Sequence, residues 1–88
     1  MIINIKDLKN KIIYRANYRG TKEMDKLLGT FTKRYIDQFK EVELQHLCDL
    51  LDLDDENLYK FNQGQETTIF IALNEVTKLF RDYKYTNK

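Results

Sequence analysis

Near the start of the chain, Ile5, Leu8, Ile12 and Ala16 recur at intervals of three and four residues, the spacing of one helical face. They predict a helix over about residues 5–16, with Asn4 placed to cap it. A second stripe, Met24, Leu27, Leu28, Phe31, Tyr35 and Phe39, keeps that spacing and predicts a longer helix over about 21–38. Gly29 interrupts it. An interior glycine costs a helix roughly 1 kcal/mol against alanine, so its expected purpose is to let a neighbouring helix come close. Leu44, Leu47, Cys48 and Leu51 share one face of a third helix over about 40–51. The acidic run "DLDDEN" then breaks the pattern, and Asp54 is suited to cap a short fourth helix to about residue 62, with Leu58 and Phe61 turned inward and Gly64 closing it. A last helix is expected from about 66 to 83. Its opening, "IFIALNEV", is apolar on more than one side, which predicts the most buried backbone of the chain, while the end "KYTNK" is expected to fray.

The fold class that follows is all-α, a compact single domain of about five short helices over residues 1–88. Composition agrees, because the chain has no proline and only three glycines, too little turn punctuation for an all-β domain of this size. Eighty-eight residues with 42% apolar content suffice for one core but not for a deep catalytic cleft, which argues against an enzyme. One cysteine, Cys48, forms no internal disulfide and suits a reducing compartment. The start "MIINIKDLKNK" resembles neither a signal peptide nor an organelle presequence, and no run approaches the roughly 20 apolar residues of a membrane span. The expectation is a complete soluble protein without membrane insertion, and the Lys-, Asn-, Ile- and Tyr-rich composition suggests the cytoplasm of a bacterium with an AT-rich genome.

The formal net charge of +1 conceals an asymmetry: residues 1–40 carry net +6, residues 41–66 net −7 and residues 67–88 net +2. Either opposite ends of the domain face partners of opposite charge, or the two halves neutralise each other within the fold. Nucleic acid is not the expected partner. Lys6, Lys9, Lys11, Arg15, Lys22, Lys26 and Lys33 spread around two helices rather than clustering, and the pI is near 7.8.

Candidate chemistry is sparse. His46 and Cys48 stand two residues apart, so on a helix they point in nearly opposite directions and cannot share a metal; a buried cysteine and an exposed histidine are expected. The chain has no serine, and its one histidine has no partner at helical spacing, so nucleophilic catalysis lacks a basis. No glycine-rich dinucleotide fingerprint occurs, so no cofactor is expected to be stably bound. What remains is the break "NYRGTKEMD". Gly20 accepts positive φ and admits close backbone approach. With Gly20 as N-cap, Glu23 would stand at N3 and reach back to the cap, and Asp25 would meet the helix dipole. Arg19 has no such local task, and a guanidinium at an exposed turn tip beside two carboxylates suits recognition.

At these residues the chain resembles the succinate dehydrogenase assembly factors called flavinators, small helical proteins marked by an RGxxE motif. The motif reads "RGTKE", Arg19 to Glu23, followed by "MDKLLGTF"; the downstream "LLDLDDENLYKFNQGQE" is similar to the family's second block, an apolar pair, an acidic turn and a short helix with an aromatic and a glycine. The likeness covers roughly residues 12–66. The acidic turn lacks the family's usual proline, Phe61 stands where tryptophan is frequent, and Tyr18 where another basic residue is common.

The resemblance implies a non-catalytic factor that binds the flavoprotein subunit of succinate dehydrogenase, with that of fumarate reductase as a second candidate, and promotes covalent attachment of FAD. The bond forms on a histidine of the partner, so the factor needs no nucleophile of its own. Arg19, Gly20, Glu23 and Asp25 are the partner-binding residues this implies. The competing expectation is a helical adaptor for some other protein, with the RGTKE turn acting only as a cap.

Overall fold

The computed structural model describes residues 4–84, and among these it is all-α. Five helices follow one another: α1 (Ile5–Asn17), α2 (Lys22–Tyr35), α3 (Glu41–Leu51), α4 (Asp55–Asn62) and α5 (Glu75–Asp82), with one 3-10 turn, Ile36–Gln38, after α2. Three of their ends are fixed by residues anticipated from the sequence. Asn4 accepts from the Asp7 N–H to start α1, and Asp54 accepts from the Asn57 N–H to start α4. The Asn57 side-chain amide adds a second bond to Asp54, and these bonds hold the Asp54 carboxyl below its ordinary pKa. Gly64, at φ +74, closes α4.

The apolar stripes meet in one core. Ile12, Leu28, Phe31, Leu44, Leu47, Leu58, Val76 and Phe80 are wholly buried. Phe31 is its aromatic centre, with the rings of Tyr35, Phe80 and Tyr83 at centroid distances of 5.1, 5.2 and 5.4 Å. The close approach expected at Gly29 is present: a methyl group there would collide with the side-chain oxygen of Asn17, at the end of α1. Ion pairs also tie the basic first half to the acidic stretch, Arg15 to Asp52 and Arg19 to Asp55, so part of the charge asymmetry is neutralised within the fold.

The last helix departs from expectation. Residues 66–74 are not helical, and Phe70 is 90% exposed, the reverse of a buried first turn. Two causes are visible. Thr67, Thr68, Ile69, Phe70 and Ile71 all have modest helix propensity, four of them through β-branching. Asn74 then starts α5 with a reciprocal cap, its side chain accepting from the Thr77 N–H at 2.9 Å while its own N–H donates to the Thr77 hydroxyl at 2.8 Å. Of "KYTNK", expected to fray, all but Lys84 lies outside the described residues.

Candidate functional site: the RGTKE turn

The turn between α1 and α2 is built by its own polar side chains. Thr21, not Gly20, is the N-cap of α2, because its hydroxyl accepts from the Met24 N–H at 3.2 Å and glycine has no such acceptor. Glu23 therefore stands at N2, one place short of a capping box. Asp25 does the reaching back instead, its carboxylate accepting from the backbone N–H groups of both Arg19 and Gly20. Gly20 sits at φ +120 with no atom within 4 Å of where a Cβ would be, so its surroundings are open while its backbone excludes ordinary side chains.

Arg19 is not at an exposed tip. Only 12% of its side chain is accessible, and it spans the space to the α3–α4 link. Its Nε donates to Asp55 at 3.0 Å, and its two terminal nitrogens donate to the carbonyls of Leu51 and Leu53, each at 2.6 Å. The Leu51 carbonyl is one of those a helix leaves unpaired at its C-terminus, and the planar guanidinium fork can serve it and two neighbours at once. The two sequence blocks are thus one physical unit: the arginine of the first is bound by the acidic turn of the second.

Glu23 remains exposed and, among the described residues, forms no ion pair or side-chain hydrogen bond. It lies on the rim of a groove of about 460 Å³ between the start of α2 and the end of α4, whose wall includes Met24, Leu27 and Tyr59 and whose edge carries Lys22 and Lys26. So of the four residues expected to bind a partner, the structure places Gly20 and Glu23 outward and gives Arg19 and Asp25 internal tasks. One feature missed from the sequence is an aromatic pair leading into the turn. Tyr14 and Tyr18 are 66% and 70% exposed and lie against each other at 4.6 Å, a contact their i, i+4 spacing could have signalled.

The other candidates stay apart from this site. His46 and Cys48 are each partly buried rather than exposed and buried, and among the described residues no three His, Cys, Asp or Glu side chains group as metal ligands. Burial pushes the Cys48 thiol above its ordinary pKa, which lowers its thiolate fraction at neutral pH. Cys48 should therefore react with iodoacetamide at pH 7.5 several-fold more slowly than free cysteine. A rate equal to that of free cysteine would contradict the packing described for α3. No helix among the described residues is long and apolar enough to cross a membrane.

Comparison with known proteins bears on the whole arrangement. The family described as "Flavinator of succinate dehydrogenase" matches residues 10–84. A protein named succinate dehydrogenase assembly factor 2, mitochondrial, from Scheffersomyces stipitis, is 41% identical over 49 residues, which make up 56% of this chain and 33% of that one. Its namesake from Debaryomyces hansenii is 39% identical over 49 residues, 56% of this chain and 34% of the other. The chain thus spans about a third of the length of the curated relatives it matches. No solved structure matches it. The relatives are yeast proteins named as mitochondrial, which overturns the expectation of a bacterial, cytoplasmic protein drawn from composition and from the unremarkable N-terminus. Composition reports codon bias and leader patterns, neither of which is part of the fold. With its match running from within α1 to the end of α5 and taking in both sequence blocks that Arg19 joins, the chain belongs to the succinate dehydrogenase flavinator family.

Proposed function

We propose that this chain binds the flavoprotein subunit of succinate dehydrogenase through the outward side of the RGTKE turn and promotes covalent attachment of FAD to that subunit. The observation that carries the reading is the division of labour within the turn. Arg19 and Asp25 fix its backbone from inside, the Gly20 N–H being held by Asp25, while the open side of Gly20 and the Glu23 carboxylate face outward with no side-chain partner among the described residues. A rigid backbone with an unencumbered glycine can approach a partner surface closely, and Glu23 then offers a carboxylate whose position is set before contact. The chain supplies no nucleophile. Its contribution is to hold the partner where a histidine of that partner meets the flavin, a matter of orientation and preset electrostatics. FAD remains with the client, with no stable binding by this chain, and the flavoprotein of fumarate reductase is a second client of the same chemistry.

Glu23→Ala tests the reading because Glu23 has no packing role. Cells lacking this protein are complemented with wild type or the variant, and covalent flavin is read as in-gel fluorescence of the denatured flavoprotein subunit. The expected result is restoration by wild type, a signal at least about tenfold lower with the variant, and unchanged folding, since a surface carboxylate in a first helical turn contributes only about 0.3–1 kcal/mol. Equal restoration by both proteins would move recognition away from Glu23. An undiminished signal in the deletion itself would remove the flavin reading altogether.

A further inference from the structure

The groove beside the RGTKE turn carries a charge that the fold leaves unanswered. Lys22, Lys26 and Lys84 line it, against one carboxylate, that of Glu23. Arg15, Arg19 and Lys60 each pair with a carboxylate, whereas these three lysines form no ion pair among the described residues. Lys84 is also fixed in place, because its ammonium donates to the carbonyls of Asn62 and Arg81 toward the ends of α4 and α5. Asp25, the next carboxylate along α2, is turned to the backbone N–H groups of Arg19 and Gly20 and does not line the groove. The groove therefore presents an excess of positive charge to whatever enters it.

The wall narrows the choice of occupant. Tyr59 is 47% exposed and, with the accessible edges of Met24 and Leu27, gives the groove an apolar side. A simple anion would gain nothing from that side, and a purely apolar segment would strip water from the ammonium groups without pairing them. A segment that carries both, an apolar side chain for the wall and carboxylates for the rim, satisfies each part. We infer that the groove receives a segment of the client flavoprotein in which an apolar residue is flanked by aspartate or glutamate. The inference rests on the function proposed for the turn, because Glu23 stands on the rim of the groove, and it adds a second point of attachment of opposite charge.

Two measurements on the whole chain test it. The first is calorimetric titration with the flavoprotein subunit of succinate dehydrogenase purified from cells lacking this protein. Lys22→Gln with Lys26→Gln is expected to weaken binding at least about fivefold and to flatten its dependence on salt, as loss of rim charges does. Both side chains are exposed, so the helical circular dichroism should not change. Because charge also acts at a distance, the second measurement replaces Tyr59 with p-benzoylphenylalanine and irradiates the complex. The expected product is a cross-link to a client peptide that holds an apolar residue beside aspartate or glutamate. Equal affinity of wild type and the lysine variant, a bound complex without a cross-link, or a cross-linked peptide without carboxylates would overturn the groove inference and leave the role of Glu23 standing. A cross-link between two copies of this chain would overturn it in favour of a second copy. No binding by wild type at all would remove the client reading, and the occupant of the groove with it.

Discussion

Arg19→Ala is expected to lower the unfolding free energy by about 2–4 kcal/mol, since it strips one largely buried charge and leaves the acceptors it served without their donors. The partners at stake are the Asp55 carboxylate and the carbonyls of Leu51 and Leu53. The effect exceeds that of an ordinary surface ion pair because only 12% of the Arg19 side chain is open to solvent and two of its three partners are backbone groups. For a domain of this length, roughly 0.05–0.15 kcal/mol per residue sets the whole stability, so the loss is a large fraction of it. Arg19→Lys should recover less than half, because a single ammonium on a flexible stem cannot meet three acceptors spread across a planar fork. Urea unfolding followed by far-UV circular dichroism gives both values. An alanine variant within about 0.5 kcal/mol of wild type would mean that the guanidinium does not bind the α3–α4 link in solution, since that is the range of surface substitutions.

This expectation changes how losses of flavinylation are to be interpreted. Under the proposed function, an inactive Arg19 variant would report a displaced turn, whereas an inactive Glu23 variant would report a missing contact. Gly20 lies between the two, since any side chain there meets both the strain of φ +120 and whatever approaches from outside.

The helices were legible where one physical signal acted alone. Stripes at three and four residues located α1 to α4, and Asn4, Asp54 and Gly64 marked ends because each solves a local hydrogen-bonding or φ requirement. The errors arose where two signals competed. In residues 66–74 apolarity suggested burial, yet β-branching and the Asn74–Thr77 cap decided the backbone, and hydrophobicity alone does not say which side of a chain faces the core. At the turn, Thr21 and Asp25 together displaced Gly20 and Glu23 from capping, a choice that depends on side-chain reach rather than on spacing. The task of Arg19 was hidden for a plainer reason. Its partners are more than thirty residues away, and two of them are carbonyls that every residue possesses.

Phe31→Ala should be the most damaging single truncation in the chain, at about 3–5 kcal/mol from lost burial and the cavity left behind. Phe31 is fully buried, and its ring is the common contact of Tyr35 on its own helix and of Phe80 and Tyr83 at the end of α5. Removing it empties the space between α2 and α5, and what still holds α5 is its packing against α3, the stacked Phe61–Phe80 pair and the Asn62 amide, which donates to the carbonyls of Phe80 and Tyr83 at 2.8 and 2.7 Å. Phe31→Leu keeps most of the volume and should cost less than half as much, because the ring contacts are lost but no large void remains. The damage should also be uneven. Amide exchange in the alanine variant is expected to rise first across α5, since α1, α3 and the rest of α2 retain Ile12, Leu28, Leu44 and Leu47 in mutual contact. A uniform rise across all five helices would show that the domain unfolds only as a whole. A cost below about 1.5 kcal/mol would mean that the core closes over the missing ring, since that is the range of well-tolerated apolar exchanges. If α5 does loosen first, the anchor that Thr77 provides at Ala72 loosens with it.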